Sequence, residues 1–419
     1  MLELIIILAV VAGLYTAWNI GANDVANSMG PAYGCGALTL TQVIIIAGIF
    51  EFLGAILVGS SVTDTIRKGI VDLDGLVAAG ITPDMFIYGM FAALFASGLW
   101  ITVATFYKMP ISTTHSIVGA VAGFGLVVAL TSASAGVTDV VNIRGLLKIA
   151  ASWIASPISG ALISFLIFLL IRDKILNQDN QLAHAKRIAP YLVGLVVAMI
   201  SLSMLFNGLE NLNLNFELPE AFAISVLIGI AAGIITLFWV NGYKPKVKDE
   251  YWQVENFFKY LMLLTACYIA FAHGANDVAN AIGPIAAICD VVKSGEIMSK
   301  VSVPFWILAV GGFGIVLGLA TWGYKVMETI GSKITEMTPT RGFAATFGAA
   351  TTVLVCSKLG LPISTSHVLV GSVLGVGLAQ GIGAIDLSVI KNIIWSWVLT
   401  IPVASALTII IYELILVAV

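Results

Sequence analysis

Two short polar motifs carry the chemistry of this chain, and each occurs twice. The first, Gly21-Ala22-Asn23-Asp24-Val25-Ala26-Asn27, recurs unchanged at Gly274–Asn280. Carboxylate and carboxamide oxygens are hard ligands that suit Na⁺, Ca²⁺ or a proton relay. On a helix Asn23 and Asn27 share one face, as do Asn276 and Asn280. A single Asn in an apolar helix is adequately explained as a hydrogen bond between helices. A duplicated set with a carboxylate is not, because burying that charge is a poor way to hold helices together. Asn23, Asp24, Asn27, Asn276, Asp277 and Asn280 are therefore candidate cation ligands. Gly21 and the pairs Gly30-Pro31 and Gly283-Pro284 are expected to interrupt the helix and free carbonyls for the same shell.

The second motif, Pro110-Ile111-Ser112-Thr113-Thr114-His115, recurs at Pro362–His367 with Ser366 in place of Thr114. Proline followed by hydroxyls and a Gly-rich apolar run reads as a helix N-terminus. Plain N-capping would account for one copy. Two copies whose ends converge make an anion cradle, in which hydroxyls and unpaired N–H groups suit phosphate, sulfate or carboxylate. The candidate anion ligands are Ser112, Thr113, Thr114, Ser364, Thr365 and Ser366. Lys108 and Lys358 are the basic residues near these prolines. A bound dianion then takes its countercharge from bound cations, and coupled cation–anion symport follows. Glu51 and Gln42 are candidates for a further cation ligand or a gate, and Glu51 reads equally well as a neutral carboxylic acid hydrogen-bonded within the bundle. His115, His273 and His367 are expected to fix helix ends by backbone hydrogen bonds more than to relay protons. Trp18, Trp100 and Trp397 read as interface anchors or packing.

The elements that position these residues must be membrane helices. Of 419 residues, 59% are hydrophobic and 10% charged, and the net charge is −3. A soluble domain carries roughly 25% charge, so a cytosolic enzyme, a nucleic-acid binder and a disordered chain are all excluded. The four cysteines have no metal or disulfide spacing, and no cofactor is indicated. Twelve apolar runs lie near 4–20, 43–62, 85–107, 111–130, 145–171, 188–206, 221–240, 257–272, 303–327, 343–358, 363–382 and 393–419. The expected fold is an all-α polytopic membrane protein of about twelve segments. The segment 172–188 holds Arg172, Lys174, Lys186 and Arg187, and 241–256 holds Lys244, Lys246 and Lys248, whereas 207–220 holds three glutamates and no basic residue. The positive-inside rule places the first two in the cytoplasm. Counting spans outward from them puts both termini outside, as expected of a multi-pass protein of the plasma membrane.

The motif copies stand 253 and 252 residues apart, so the chain is a duplication. The expected division is a first repeat over 1–171, connecting cytoplasmic segments with two linking helices over 172–256, and a second repeat over 257–419. On the topology above, the repeats insert in opposite directions, an arrangement suited to alternating access about a midplane site.

In these two duplicated motifs the chain resembles the inorganic phosphate transporter family. The resemblance implies sodium- or proton-coupled phosphate symport, a homodimer, and Pro-Ser-Thr stretches at the tips of re-entrant helical hairpins. Two departures stand out. The central segments 172–188 and 241–256 are short where many relatives have a long hydrophilic loop. Arg341-Gly342-Phe343 is followed by Ala344, Ala345 and Thr346, where relatives often have an acidic residue. Na⁺ is expected as the coupling ion, because Asn amides ligate Na⁺ but do not relay protons. The competing readings are proton coupling, transport of sulfate or another oxyanion, a passive channel, and an intramembrane aspartyl hydrolase built on Asp24 and Asp277.

Overall fold

The computed structural model describes residues 2–206, 216–245, 247–297, 303–324, 326–327, 336–381 and 386–419. Among these the chain is helical, with one isolated bridge between Val71 and Val141. The helices are α1 (Leu2–Ile20), α2 (Ala26–Gly34), α3 (Leu40–Val58), α4 (Ser60–Lys68), α5 (Leu73–Ala78), α6 (Pro83–Phe106), α7 (Thr113–Thr131), α8 (Val137–Val140) and α9 (Ile143–Ile171). After two further helices, α10 (Gln181–Leu205) and α11 (Leu218–Gly242), come α12 (Glu250–Ser294), α13 (Phe305–Trp322), α14 (Pro339–Lys358), α15 (Thr365–Gln380) and α16 (Leu387–Ala418).

Local sequence sets the starts. Thr82, Asn142 and Asp249 cap α6, α9 and α12 through their side chains, and Pro83 and Pro339 occupy first turns. Ten helices among the described residues are long and apolar enough to cross a membrane. The apolar runs 343–358 and 363–382 are not among them. They fold as α14, rich in Thr, Ala and Gly, and as α15, whose 16 residues reach only about 24 Å. A bilayer core is about 30 Å thick.

Polarity runs inside out. Along α9, Leu147, Ile154, Ile158, Leu162 and Leu166 are each more than half exposed, while Asn23, Asp24, Asn276 and Asp277 are wholly buried. Only a hydrocarbon solvent makes that arrangement favourable.

Helices of the N-terminal part pack crosswise against helices of the C-terminal part. α7 lies against α16 and α15 against α9, α12 lies against α3 and α1 against α13, while α10 and α11 pair with each other. Close approach at two of these crossings requires glycine. A Cβ on Gly21 would lie 1.8 Å from the Ile315 carbonyl oxygen, and one on Gly274 would lie 2.1 Å from that of Glu51.

The sequence expectation of a helix broken at Gly-Pro needs correction. α12 runs 45 residues without a break through Pro284, and α2 continues through Pro31. Proline removes one hydrogen bond, and burial on every side of α12 here holds the helix through that loss. Of the expected interruptions, the one at Gly21 is present, as a π-helical turn at Gly21–Val25 that links α1 to α2; a second π-helical turn, Arg172–Leu176, follows α9.

Candidate functional site

The two hairpin tips are built alike. Residues 107–112 join α6 to α7, and residues 359–364 join α14 to α15. Ser112 and Ser364 cap the second helix of each hairpin, their Oγ atoms accepting from His115 N (3.1 Å) and His367 N (3.2 Å). Lys108 (φ 57°) and Gly360 (φ 64°) make the same left-handed turn just before the prolines. Each tip is held by a helix of the other copy. Trp153 on α9 donates to the Pro362 carbonyl (3.1 Å), and Ser396 on α16 donates to the Pro110 carbonyl (3.2 Å). The tips also meet each other, Thr114 Oγ1 donating to the Ile363 carbonyl (2.8 Å).

The Asn-Asp motifs dock onto these tips in matching pairs. Asn23 donates to Thr105 Oγ1 (2.9 Å) and the Met109 carbonyl (3.1 Å). Asn276 donates to Ser357 Oγ (3.0 Å) and the Leu361 carbonyl (3.1 Å). Thr113 Oγ1 donates to Asp24 Oδ2 (2.7 Å), and Thr365 Oγ1 to Asp277 Oδ2 (2.8 Å). Two contacts join the copies. Ser366 hydrogen-bonds the other carboxylate oxygen of Asp24, and Asn280 Nδ2 reaches Thr113 Oγ1 (3.3 Å) and Thr114 Oγ1 (3.1 Å). All of these side chains are buried.

One pair breaks the symmetry. His273 Nδ1 lies 2.9 Å from Glu51 Oε2, and its Nε2 lies 2.7 Å from Asp277 Oδ2, the second contact lacking hydrogen-bond alignment. The first copy has no such group. Gly21 crosses Ile315 where Gly274 crosses Glu51, and Ile20 precedes Gly21 where His273 precedes Gly274. One crossing is therefore flanked by Ile20 and Ile315, the other by a histidine and a glutamate.

The structure thus gathers Asn23, Asp24, Asn276, Asp277, Asn280 and the Ser-Thr stretches of both tips, with Glu51 joining through His273. The side chain of Asn27 lies outside the described residues. Gln42 is placed elsewhere. It sits exposed on the first turn of α3, its Oε1 accepting from Thr39 N (2.9 Å) in a capping box. Lys358 spends its ammonium on the Phe206 carbonyl, and Lys108 is exposed. Of the histidines, His273 departs from the helix-end role expected of it, whereas His115 and His367 sit in the first turns of α7 and α15. His273 bridges acids, while the His115 and His367 rings meet edge-on at 4.4 Å and pack on Trp153 (3.8 Å) and Trp397 (3.5 Å). The second-copy crossing, with His273 set against Glu51, was missed from sequence. Its signal was there, since aligning the halves at an offset of 253 sets His273 against Ile20.

Chemically the cluster is two-sided. Asn276 Oδ1, Asp277 Oδ1, Asn280 Oδ1 and Glu51 Oε1 are buried acceptors with no donor among the described residues. Buried acceptors seek a cation or a proton, and one oxygen or nitrogen each from Asp24, His273 and Asp277 fall within 4.8 Å of one another. Thr113, Thr114, Thr365 and Ser366 are hydroxyl donors at two helix starts, the chemistry an oxyanion seeks. Candidate cation ligands and candidate anion ligands are thus adjacent, and Thr113, Thr365 and Ser366 contact the carboxylates.

Comparison with known proteins agrees with this chemistry. Residues 20–408 match the model of the phosphate transporter family. A protein of Pyrococcus abyssi, provisionally named a phosphate permease, is 44% identical over 409 residues, covering 98% of this chain and 97% of its own. One from Chlamydia trachomatis with the same provisional name is 41% identical over 432 residues, covering 98% of each. Among solved structures, one titled the sodium-dependent phosphate transporter superposes with a TM-score of 0.90 at 41% identity, covering 99% of this chain and all of that one.

Proposed function

The chain belongs to the phosphate transporter family, and on that premise we propose that it is a Na⁺-coupled symporter of inorganic phosphate working by alternating access. Members of this family are transporters, so the hydrolase reading of Asp24 and Asp277 is set aside. One observation carries the proposal: both copies of both motifs enter one buried cluster, in which Ser366 of the second copy reaches Asp24 of the first. The roles follow from donor and acceptor chemistry. Asn23, Asp24, Asn27, Asn276, Asp277 and Asn280 hold Na⁺, and Ser112, Thr113, Thr114, Ser364, Thr365 and Ser366 hold phosphate. Bound cations draw the carboxylates away from the hydroxyls, which then turn to the anion, so the anion site is weak without cation. The related solved structure is titled sodium-dependent, which supports Na⁺ for this chain.

The reading extends to architecture. The repeats over 1–171 and 257–419 insert oppositely around the linking part 172–256. Both termini face outward at the plasma membrane, and the protein works as a homodimer. The crosswise packing of α7 on α16 and α15 on α9 supports the exchange of elements between repeats that rocking about a central site needs.

A proton-coupled reading rests on a different observation, the placement of His273 between Glu51 and Asp277. Uptake of labelled phosphate into proteoliposomes separates the two. The proposal expects uptake to follow an imposed Na⁺ gradient and to be inhibited by arsenate more than by sulfate. Uptake that ignores Na⁺ and follows a pH gradient would overturn it in favour of protons. Downhill flux without saturation would indicate a channel.

A further inference from the structure

Away from the transport site, α10 and α11 form an antiparallel pair with a trough on its membrane-facing side. Their backbones touch. A Cβ on Gly194 would lie 2.8 Å from the Gly229 carbonyl oxygen, and one on Gly233 would lie 3.0 Å from that of Pro190. The missing side chains leave a furrow of about 500 Å³, floored by these glycines and walled by Leu195, Ile230 and Ile234. Those three wall residues are 44%, 54% and 49% exposed, so the trough is open on its outer side.

Its shape and ends identify what fills it. The trough runs from Arg187 to Ala198 on α10, about 16 Å of helix rise. That is the hydrocarbon depth of one leaflet, half of about 30 Å. Water needs two to four polar partners, and these walls offer none. An alkyl chain fits them, entering at the Arg187 end. No acidic side chain pairs with Arg187 among the described residues. Its neighbour Lys186 is already committed to the Tyr243 carbonyl (2.7 Å). Tyr191, 76% exposed one turn further in, supplies an amphipathic ring at headgroup depth. The same end of the pair carries the net-positive segment 172–188 and the lysines Lys244 and Lys248.

We infer that the α10–α11 trough is a binding site for one anionic glycerophospholipid, with an acyl chain along the glycine floor and the headgroup phosphate on the Arg187 guanidinium. Planar, permanently charged guanidinium meets phosphate with paired hydrogen bonds. The site lies in the leaflet that faces segments 172–188 and 241–256. It is independent of the transport reading.

The test is native mass spectrometry of the whole purified protein, titrated with phosphatidylglycerol and with phosphatidylcholine. Wild type should retain phosphatidylglycerol about fivefold more tightly, the effect of one surface cation on an anionic lipid. Arg187→Gln should erase that preference while both lipids still bind. Val226→Trp, which plugs the midplane end from the surface, should weaken both. Excess inorganic phosphate should displace neither, because the chain as well as the headgroup is held. Equal retention of the two lipids by wild type, or a preference that survives both substitutions, would overturn the assignment. Efficient disulfide formation between two copies of Tyr191→Cys would also overturn it, by showing that a second copy covers the trough.

Discussion

The two copies of the Asn-Asp motif have identical sequence and different surroundings. In the first, a π-helical turn carries Asn23 and Asp24, and the crossing with α13 is lined by Ile20 and Ile315. In the second, Asn276 and Asp277 ride an unbroken helix, and the crossing with α3 carries His273 and Glu51. Asp24 is satisfied by hydroxyls from both hairpins, while Asp277 keeps one oxygen without a donor among the described residues. Duplication supplies the pair of sites, and divergence at neighbouring positions makes them unequal.

The comparison breaks most completely if either carboxylate is neutralised. Asp24→Asn and Asp277→Asn should each lower phosphate uptake at least about a hundredfold. Removing one partner of a buried charged set costs about 3–5 kcal/mol, and each 1.4 kcal/mol is a factor of ten. Uptake in proteoliposomes, normalised to folded protein, measures this. A variant that keeps most of its activity would show that its copy is decorative.

Converting the second crossing into the first gives a sharper contrast. Glu51→Ile alone leaves His273 buried beside one acid, and should destabilise by about 3 kcal/mol. The double variant Glu51→Ile with His273→Ile recreates the Ile20–Ile315 arrangement and should recover most of that stability in thermal unfolding, without recovering uptake. Stability and uptake recovering together would make the pair structural.

Ser366 and Thr114 test the hydroxyls at matching positions. Ser366 hydrogen-bonds a carboxylate, whereas Thr114 donates to a carbonyl. Hydrogen bonds to charged groups are worth about 1.5–3 kcal/mol against about 0.5–1.5 for neutral ones. Ser366→Ala should therefore reduce uptake more than Thr114→Ala, by roughly tenfold against roughly threefold. The reverse order would move the stronger site to the second copy. The smallest effect is at the tips. Lys108 holds the left-handed conformation that Gly360 adopts in the other copy. Lys108→Gly should stabilise the protein by about 1 kcal/mol, seen as a raised unfolding temperature.

Much of this site was legible in the sequence because it is written twice. A motif repeated at offsets of 253 and 252 cannot be local accident, and Pro-Ser-Thr before a Gly-rich run states a capped helix start wherever it occurs. Ser112 and Ser364 accordingly cap as expected. What failed was inference from single residues to tertiary context. Pro284 signals a break, but packing around α12 holds the helix through it. Gln42 is polar in an apolar run, yet Thr39 three residues earlier marks it as half of a capping box. The contact between Glu51 and His273 spans 222 residues and has no local spacing. Only setting one copy beside the other exposes it.

The central claim is that cations on the Asn-Asp motifs create the anion site on the hydroxyl tips. Titrating phosphate into the purified protein by calorimetry, in Na⁺ and then in choline buffer of equal ionic strength, tests it most directly. The account expects binding heat in Na⁺, none in choline, and none in either buffer for Asp24→Asn. Phosphate that bound as tightly in choline as in Na⁺ would contradict it.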